Sequence, residues 1–173
     1  MGLLTILFFS LISATAQSGD EATKTAPIKV EIRLVDSSYQ LFRGGQPYFV
    51  KGAGGGAYLS RIAAYKGNSI RTWGTRGAQR ILDSAFKYGL TVLMGLDVSS
   101  ERHGFNYDDA EAVKKQLDRL RVEVMKYKDH PALLGWGIGN ELNLQYKNPK
   151  VWEAVNDISK MIHELDKNHF TTT

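Results

Sequence analysis

Between residues 48 and 173 a short apolar run is followed by a helix-length amphipathic stretch four times in succession, and then a fifth run begins. Tyr48-Phe49-Val50 precedes a helical segment from Ala57 to Tyr65, and Ser69 to Trp73 precedes one from Ala78 to Tyr88. Thr91 to Leu96 and Leu133 to Ile138 lead two further helices, and Phe170-Thr171-Thr172-Thr173 reads as the entrance to a fifth strand. Strand–helix units in series require parallel strands joined by right-handed crossovers. The class is therefore α/β. Both a closed (β/α)₈ barrel and an open doubly wound sheet satisfy the pattern, and periodicity alone does not choose between them.

The helices announce their faces and ends. Ile81, Leu82, Ala85 and Phe86 share one face of the second helix, and Gly89 stands where a left-handed cap is expected. In the third, Val113, Leu117, Leu120, Val124 and Tyr127 recur at helical steps, with Asp108 as the expected cap and Glu111 at box-like spacing. Asn148-Pro149 opens the fourth, whose inner face is read as Trp152, Val155, Ile158 or Ser159, Ile162 and Leu165.

Upstream of the repeats the composition changes. Leu3 to Ile12 is almost unbroken apolar sequence and Ala14-Thr15-Ala16 supplies small residues in A-x-A spacing, so residues 1–16 read as a signal peptide and the protein as secreted or periplasmic. That stretch is too short to span a membrane of about 30 Å hydrocarbon thickness. Residues 17–27 have the small, polar character of a linker, and residues 28–47 read as a β-hairpin, Val30–Val35 against Tyr39–Phe42, with Gly44-Gly45-Gln46-Pro47 turning the chain again. There is no cysteine, hence no disulfide and no thiolate chemistry. The net charge of +4 is spread along the chain, without the basic block of a nucleic-acid tail.

Gly52-Ala53-Gly54-Gly55-Gly56-Ala57 fits the dinucleotide spacing G-x-G-x-x-G/A. A nicotinamide site also needs an acidic residue about 20 positions on, to hold the ribose hydroxyls. Here that region reads Ile70-Arg71-Thr72-Trp73-Gly74. No cofactor is expected, and the glycines are read as letting backbone pass close to a ligand or a helix.

Residues 126–141 read Lys-Tyr-Lys-Asp-His-Pro-Ala-Leu-Leu-Gly-Trp-Gly-Ile-Gly-Asn-Glu, and residues 68–74 read Asn-Ser-Ile-Arg-Thr-Trp-Gly. Together they resemble the catalytic barrel of the clan A retaining glycoside hydrolases, nearest to that of the family 2 β-galactosidases and β-glucuronidases. The resemblance covers about residues 40–173. It implies the N-terminal half of a (β/α)₈ TIM barrel over residues 48–173, truncated at the fifth strand and preceded by a short β-hairpin that caps the barrel's bottom. It also implies that Glu141 is the general acid/base, that Asn140 contacts the sugar 2-hydroxyl, and that Arg71 orients the nucleophile.

These residues also suit the chemistry by themselves. Breaking a β-glycosidic bond needs a carboxylic acid to protonate the leaving oxygen, and a Glu just past a barrel strand lies at the face where such sites are built. Trp73 and Trp136 are candidate sugar-stacking rings, of which Trp136, mid-strand, suits the core. Asp97, Glu101, Arg102 and His103 follow the third strand in a loop facing the same end, as candidate substrate-binding residues with no assigned role; no spacing rule makes Asp97, Glu101 and His103 a metal site. His130 before Pro131 reads as a turn and packing residue. The expected partner is an oligo- or polysaccharide, and oligomeric state stays open. Retaining hydrolysis needs a second carboxyl about 5–5.5 Å from the first, and in this clan it ends the seventh strand. The 173 residues are thus expected to be an incomplete hydrolase, inactive alone, with a hydrophobic strand edge that invites association. A transglycosylase and a non-catalytic carbohydrate-binding domain are the other readings.

Overall fold

The computed structural model describes residues 26–173. The apolar leader, its cleavage site and the linker as far as residue 25 lie outside the described residues. Strand β1 (Val30–Val35) pairs antiparallel with β2 (Ser38–Arg43), in register from Val30↔Arg43 to Val35↔Ser38. The two-residue link Asp36-Ser37 has positive φ at both positions, +47° and +66°, the twist a tight hairpin favours. Gly44 and Gly45 repeat that geometry, and Gln46–Pro47 then adds a third strand, β3, beside β2. The segment read as a second turn is thus itself half strand.

This small sheet is fastened under the main one. Val30 N donates to Asn168 O at 2.7 Å, Arg43 Nη2 to Pro131 O at 2.8 Å, and the Tyr48 hydroxyl to Asn68 O at 2.8 Å. All three acceptors lie in loops that enter parallel strands, so the hairpin covers the amino-terminal end of the sheet.

The main sheet holds five parallel strands in strict chain order: β4 (Gly52–Gly54), β5 (Ser69–Arg71), β6 (Thr91–Leu96), β7 (Leu133–Ile138) and β8 (Phe170–Thr172). Helices α1 (Leu59–Ala64), α2 (Ala78–Lys87), α3 (Ala110–Tyr127) and α4 (Lys150–Leu165) connect them. A doubly wound sheet reverses its strand order at a switch point. This one never does, as in part of a (β/α) barrel. The core lies between sheet and helices, around Leu82, Val92, Met94, Leu120, Leu133 and Ile162. Gly89, at φ +68°, caps α2 as expected: Leu90 N reaches Ala85 O at 2.8 Å and Gly89 N reaches Phe86 O at 3.0 Å, the paired bonds of a Schellman motif.

Several expectations need correction. Tyr48-Phe49-Val50 joins no strand: Tyr48 N donates to Leu41 O at 2.8 Å, and Phe49 is 77% exposed. The first parallel strand is the glycine motif itself. A Cβ on Gly52 would sit 2.5 Å from Ser69 O, and one on Gly54 would sit 2.7 Å from the Trp73 ring. Gly52 and Gly54 therefore admit the protein's own backbone and indole. On α2, Phe86 turns outward and meets His130 edge-on at 6.3 Å, and the buried residues are Ala78, Leu82 and Ala85. Asp109, not Asp108, caps α3, its Oδ1 accepting from Glu111 N and Ala112 N; Asp108 pairs with Lys150 instead. On α4 the buried face is Val151, Ala154, Val155, Ile158, Met161 and Ile162, with Leu165 partly buried against it; of the expected residues, Trp152 lies outside, and Val151 beside it is buried instead.

Candidate functional site

The turn after β7 determines where the Asn140-Glu141 pair points. Gly139 takes φ +73° and its amide donates to Leu96 O at 3.1 Å, ending the strand. A Cβ there would collide with Leu142 at 2.6 Å, because Leu142 folds back into the core beneath it. Glu141 is also left-handed, at φ +52°. Two left-handed residues around Asn140, followed by a buried Leu142, leave residues 140 and 141 standing proud at the carboxyl end of the sheet. A left-handed Glu is sterically unfavourable, by about 1–2 kcal/mol, and such strain concentrates where a side chain must be aimed.

Arg71, at the end of β5, donates from Nη2 to Asn140 Oδ1 at 3.1 Å. Arg102 Nη1 donates to Glu141 Oε2 at 3.1 Å. An open pocket of about 490 Å³ is lined by Arg71, Asn140, Glu141, Asn143 and Trp152, among others, and Glu141 is the one carboxylate among its described lining residues. The donor set on one side and the carboxylate on the other can hold a hydroxylated ligand and exchange a proton with it.

The loop after β6 forms the neighbouring rim. Glu101 and His103 lie on a 3-10 turn, closed by Gly104 at φ +88°. Glu101 Oε2 accepts from Lys147 N at 2.7 Å and Asn148 N at 3.0 Å, so it pins the loop that leads into α4. His103 Nδ1 meets Ser100 Oγ at 3.1 Å. Beneath the turn, Tyr107 donates its hydroxyl to Ser99 O; burial pushes its phenol above the ordinary value. Asp97 is exposed at the end of β6, its carbonyl held by Arg119. Trp73 stands half exposed at the end of β5, with the Arg71 guanidinium 6.0 Å from its ring. Trp136 is fully buried and donates Nε1–H to Asp166 at 2.8 Å, so its ring belongs to the core.

Asn140, Glu141 and Arg71 thus share one pocket, Trp73 flanks Arg71, and Glu101, His103 and Asp97 lie on the adjoining rim. Asn143 was not singled out from the sequence and Trp152 reads there as core; Arg102 reads as a candidate substrate-binding residue without a role, and its bond to Glu141 gives it a partner. Trp152 was hidden by its helical spacing, which reads as core.

No family model matches the chain. Among curated proteins it is similar to a β-galactosidase of Arthrobacter sp. (strain B7), 29% identical over 115 residues, which is 61% of this chain and 11% of that protein. Among solved structures it resembles a β-glucuronidase of Bifidobacterium dentium complexed with coumarin-3-O-glucuronide, with a TM-score of 0.66 and 18% identity over 84% of this chain and 26% of the other. A β-glucuronidase of Faecalibacterium prausnitzii gives a TM-score of 0.64 and 20% identity, over 84% and 27%. The fold is shared with the β-glucuronidases. At this identity the likeness concerns architecture, and the chain spans about a quarter of those solved chains.

Proposed function

We propose that this chain carries the acid/base half of a retaining β-glycosidase site, with Glu141 as the acid that protonates the leaving oxygen. One observation carries the reading: Asn140 and Glu141 project together from the carboxyl end of β7, with Arg71 bonded to Asn140 in the same pocket. Active sites on barrels of this kind are built from those strand ends.

In this reading Asn140, its Oδ1 fixed by Arg71, turns its amide N–H toward a sugar hydroxyl. Glu141, 55% exposed, stays in reach of water for the second step, when it takes a proton from the attacking water. A second carboxyl about 5–5.5 Å away forms and releases the glycosyl ester. It comes from outside the residues that line this pocket. Arg102 is the counter-ion that Glu141 exchanges for substrate. Export through a leader at residues 1–16 belongs to the same proposal, on the apolar run Leu3–Ile12 and the Ala14-Thr15-Ala16 spacing; intact mass of secreted protein beginning at Met1 or Gly2 would reject it.

The test uses an aryl β-glycoside. The 173-residue chain alone is expected to show no turnover above an inactive control. In a polypeptide that supplies the second carboxylate, Glu141→Gln lowers turnover by about 10²–10⁴-fold. The loss shrinks with a dinitrophenolate leaving group, and azide restores part of it by attacking the glycosyl-enzyme without base assistance. Unchanged turnover in Glu141→Gln rejects the reading.

A further inference from the structure

The role given to Glu141 leaves Trp152 unexplained. Its neighbours Val151 and Val155 are buried, whereas Trp152 keeps 36% of its surface exposed and lines the Glu141 pocket beside Arg71, Asn140 and Asn143. Tyr146 meets it at a centroid distance of 5.5 Å and an interplanar angle of 80°. An edge-to-face contact covers at most one face of the indole. The segment between them is held from the next loop, where Glu101 accepts from Lys147 N and Asn148 N.

A half-exposed aromatic ring next to amide and guanidinium donors matches the two-sided chemistry of a pyranose. The ring C–H face of the sugar is apolar and lies flat on an indole, while its equatorial hydroxyls reach outward to polar groups. Position favours one sugar over the other. Arg71 and Asn140 stand at strand ends, on the inner layer, whereas Trp152 belongs to α4, on the outer helical layer. Glu141 and Trp152 line the same pocket, so the sugar joined through the oxygen that Glu141 protonates is the one brought against Trp152.

We propose that Trp152, buttressed by Tyr146, is the stacking platform for the pyranose on the leaving-group side of the bond; this rests on the reading of Glu141 as acid/base. The ligand class is a β-linked disaccharide or longer saccharide. A lone glycoside with a small leaving group does not engage the platform.

Calorimetric titration of the 173-residue chain with cellobiose, lactose and chitobiose, and with the methyl β-glycoside of each non-reducing sugar, tests this. At least one disaccharide is expected to bind more tightly than its methyl glycoside. Trp152→Ala weakens that disaccharide by about tenfold, Trp152→Phe recovers most of the loss, and the methyl glycoside binds all three forms alike. If Asn140→Ala weakens both ligands while Trp152→Ala weakens neither, the platform is wrong and the Glu141 site stands. If no saccharide binds the unmodified chain, the platform is wrong, while the role of Glu141 is decided by the turnover test above. Should Trp152→Ala not fold, Trp73→Phe decides, because it leaves Trp152 as the one exposed indole beside the buried Trp136. Emission of that variant shifts with the bound disaccharide, and emission that stays constant at saturation overturns the proposal.

Discussion

Arg71 and Asn140 lie 69 residues apart in sequence and are joined by a 3.1 Å hydrogen bond that passes over the intervening strand β6. Adjacent strands are spaced about 4.8 Å apart, so the bond must bridge two such steps, which only a long side chain does. It also requires β6 to lie close under the end of β5. Gly95 provides that closeness: a Cβ there would fall 2.4 Å from Thr72 O and 2.6 Å from the Trp73 carbonyl carbon. Both obstacles are backbone and cannot rotate away. Gly95→Ala is therefore expected to lower stability by about 1–3 kcal/mol in chemical denaturation. It should also lengthen the Arg71–Asn140 contact in a determined structure. A variant as stable as the parent would mean that β5 and β6 are looser than described.

The cap of α3 gives a paired test. Asp109 Oδ1 accepts from two otherwise unsatisfied amides, those of Glu111 and Ala112. Asp108 makes an exposed ion pair with Lys150. Asp109→Ala is expected to cost about 1 kcal/mol, and Asp108→Ala distinctly less, since exposed pairs contribute little. Equal losses in urea melts would put the cap back on Asp108.

The same pair of residues shows how far the sequence could be read. The strands from Thr91 to Leu96 and from Leu133 to Ile138 were legible to the residue, because a parallel strand buried on both faces is an unbroken apolar run. Helix existence was equally plain. Choices between neighbours were not: Asp108 and Asp109 are chemically identical, and only the path of the preceding loop selects one. The first strand was misplaced because β4 is Gly-Ala-Gly, devoid of the apolar pattern that marks a strand, and is fixed by close packing on Ser69 and Trp73. At the site, Glu141, Asn140 and Arg71 were visible as residue types at strand ends. Arg102 was visible as a loop residue on this side, but its pairing with Glu141, like the reach of Trp152 into the pocket, depends on side-chain direction, which spacing does not encode.

Asp166 gives the fold an acid-sensitive point. It lies buried with His169, whose Nδ1 is 2.8 Å from Oδ2, and it accepts from Trp136 Nε1 at 2.8 Å and Asn168 N at 2.9 Å. Burial raises its carboxyl, but the bonds from His169 and Trp136 outweigh burial and hold it below the ordinary value. A depressed folded value means that this contribution is present above the unfolded carboxylate pKa, about 3.9, and is lost as pH falls through the folded one. Denaturation midpoints are expected to drop below about pH 4. Asp166→Asn should be less stable at neutral pH by about 1.5–3 kcal/mol, the range for hydrogen bonds to a charged group, and should show a shallower acid limb. An acid limb identical in both proteins would assign that pH dependence to other carboxylates.

Glu141 supplies the last test, one that separates aim from stability. Its φ of +52° places an L side chain in the left-handed region, which costs roughly 1–2 kcal/mol relative to the usual basins. Glycine escapes that penalty but gives up about 0.5–1 kcal/mol of backbone entropy on folding. The ion pair with Arg102 offsets little, because the carboxylate side chain is 55% exposed and exposed pairs are weak. Glu141→Gly should then be as stable as the parent or more stable by up to about 1 kcal/mol. Glu141→Asn should fall near the parent, since Asn tolerates this region, and Glu141→Val should be clearly the least stable, because a β-branched residue there is an outlier. Denaturant titration of the four proteins reads the order directly. If it holds, the left-handed turn persists for the direction it gives the carboxylate, as a binding or catalytic site requires, and not for the fold. If Glu141→Gly loses more than about 1 kcal/mol, the carboxylate is instead part of what holds the β7–α4 loop together, and its place in the pocket is structural.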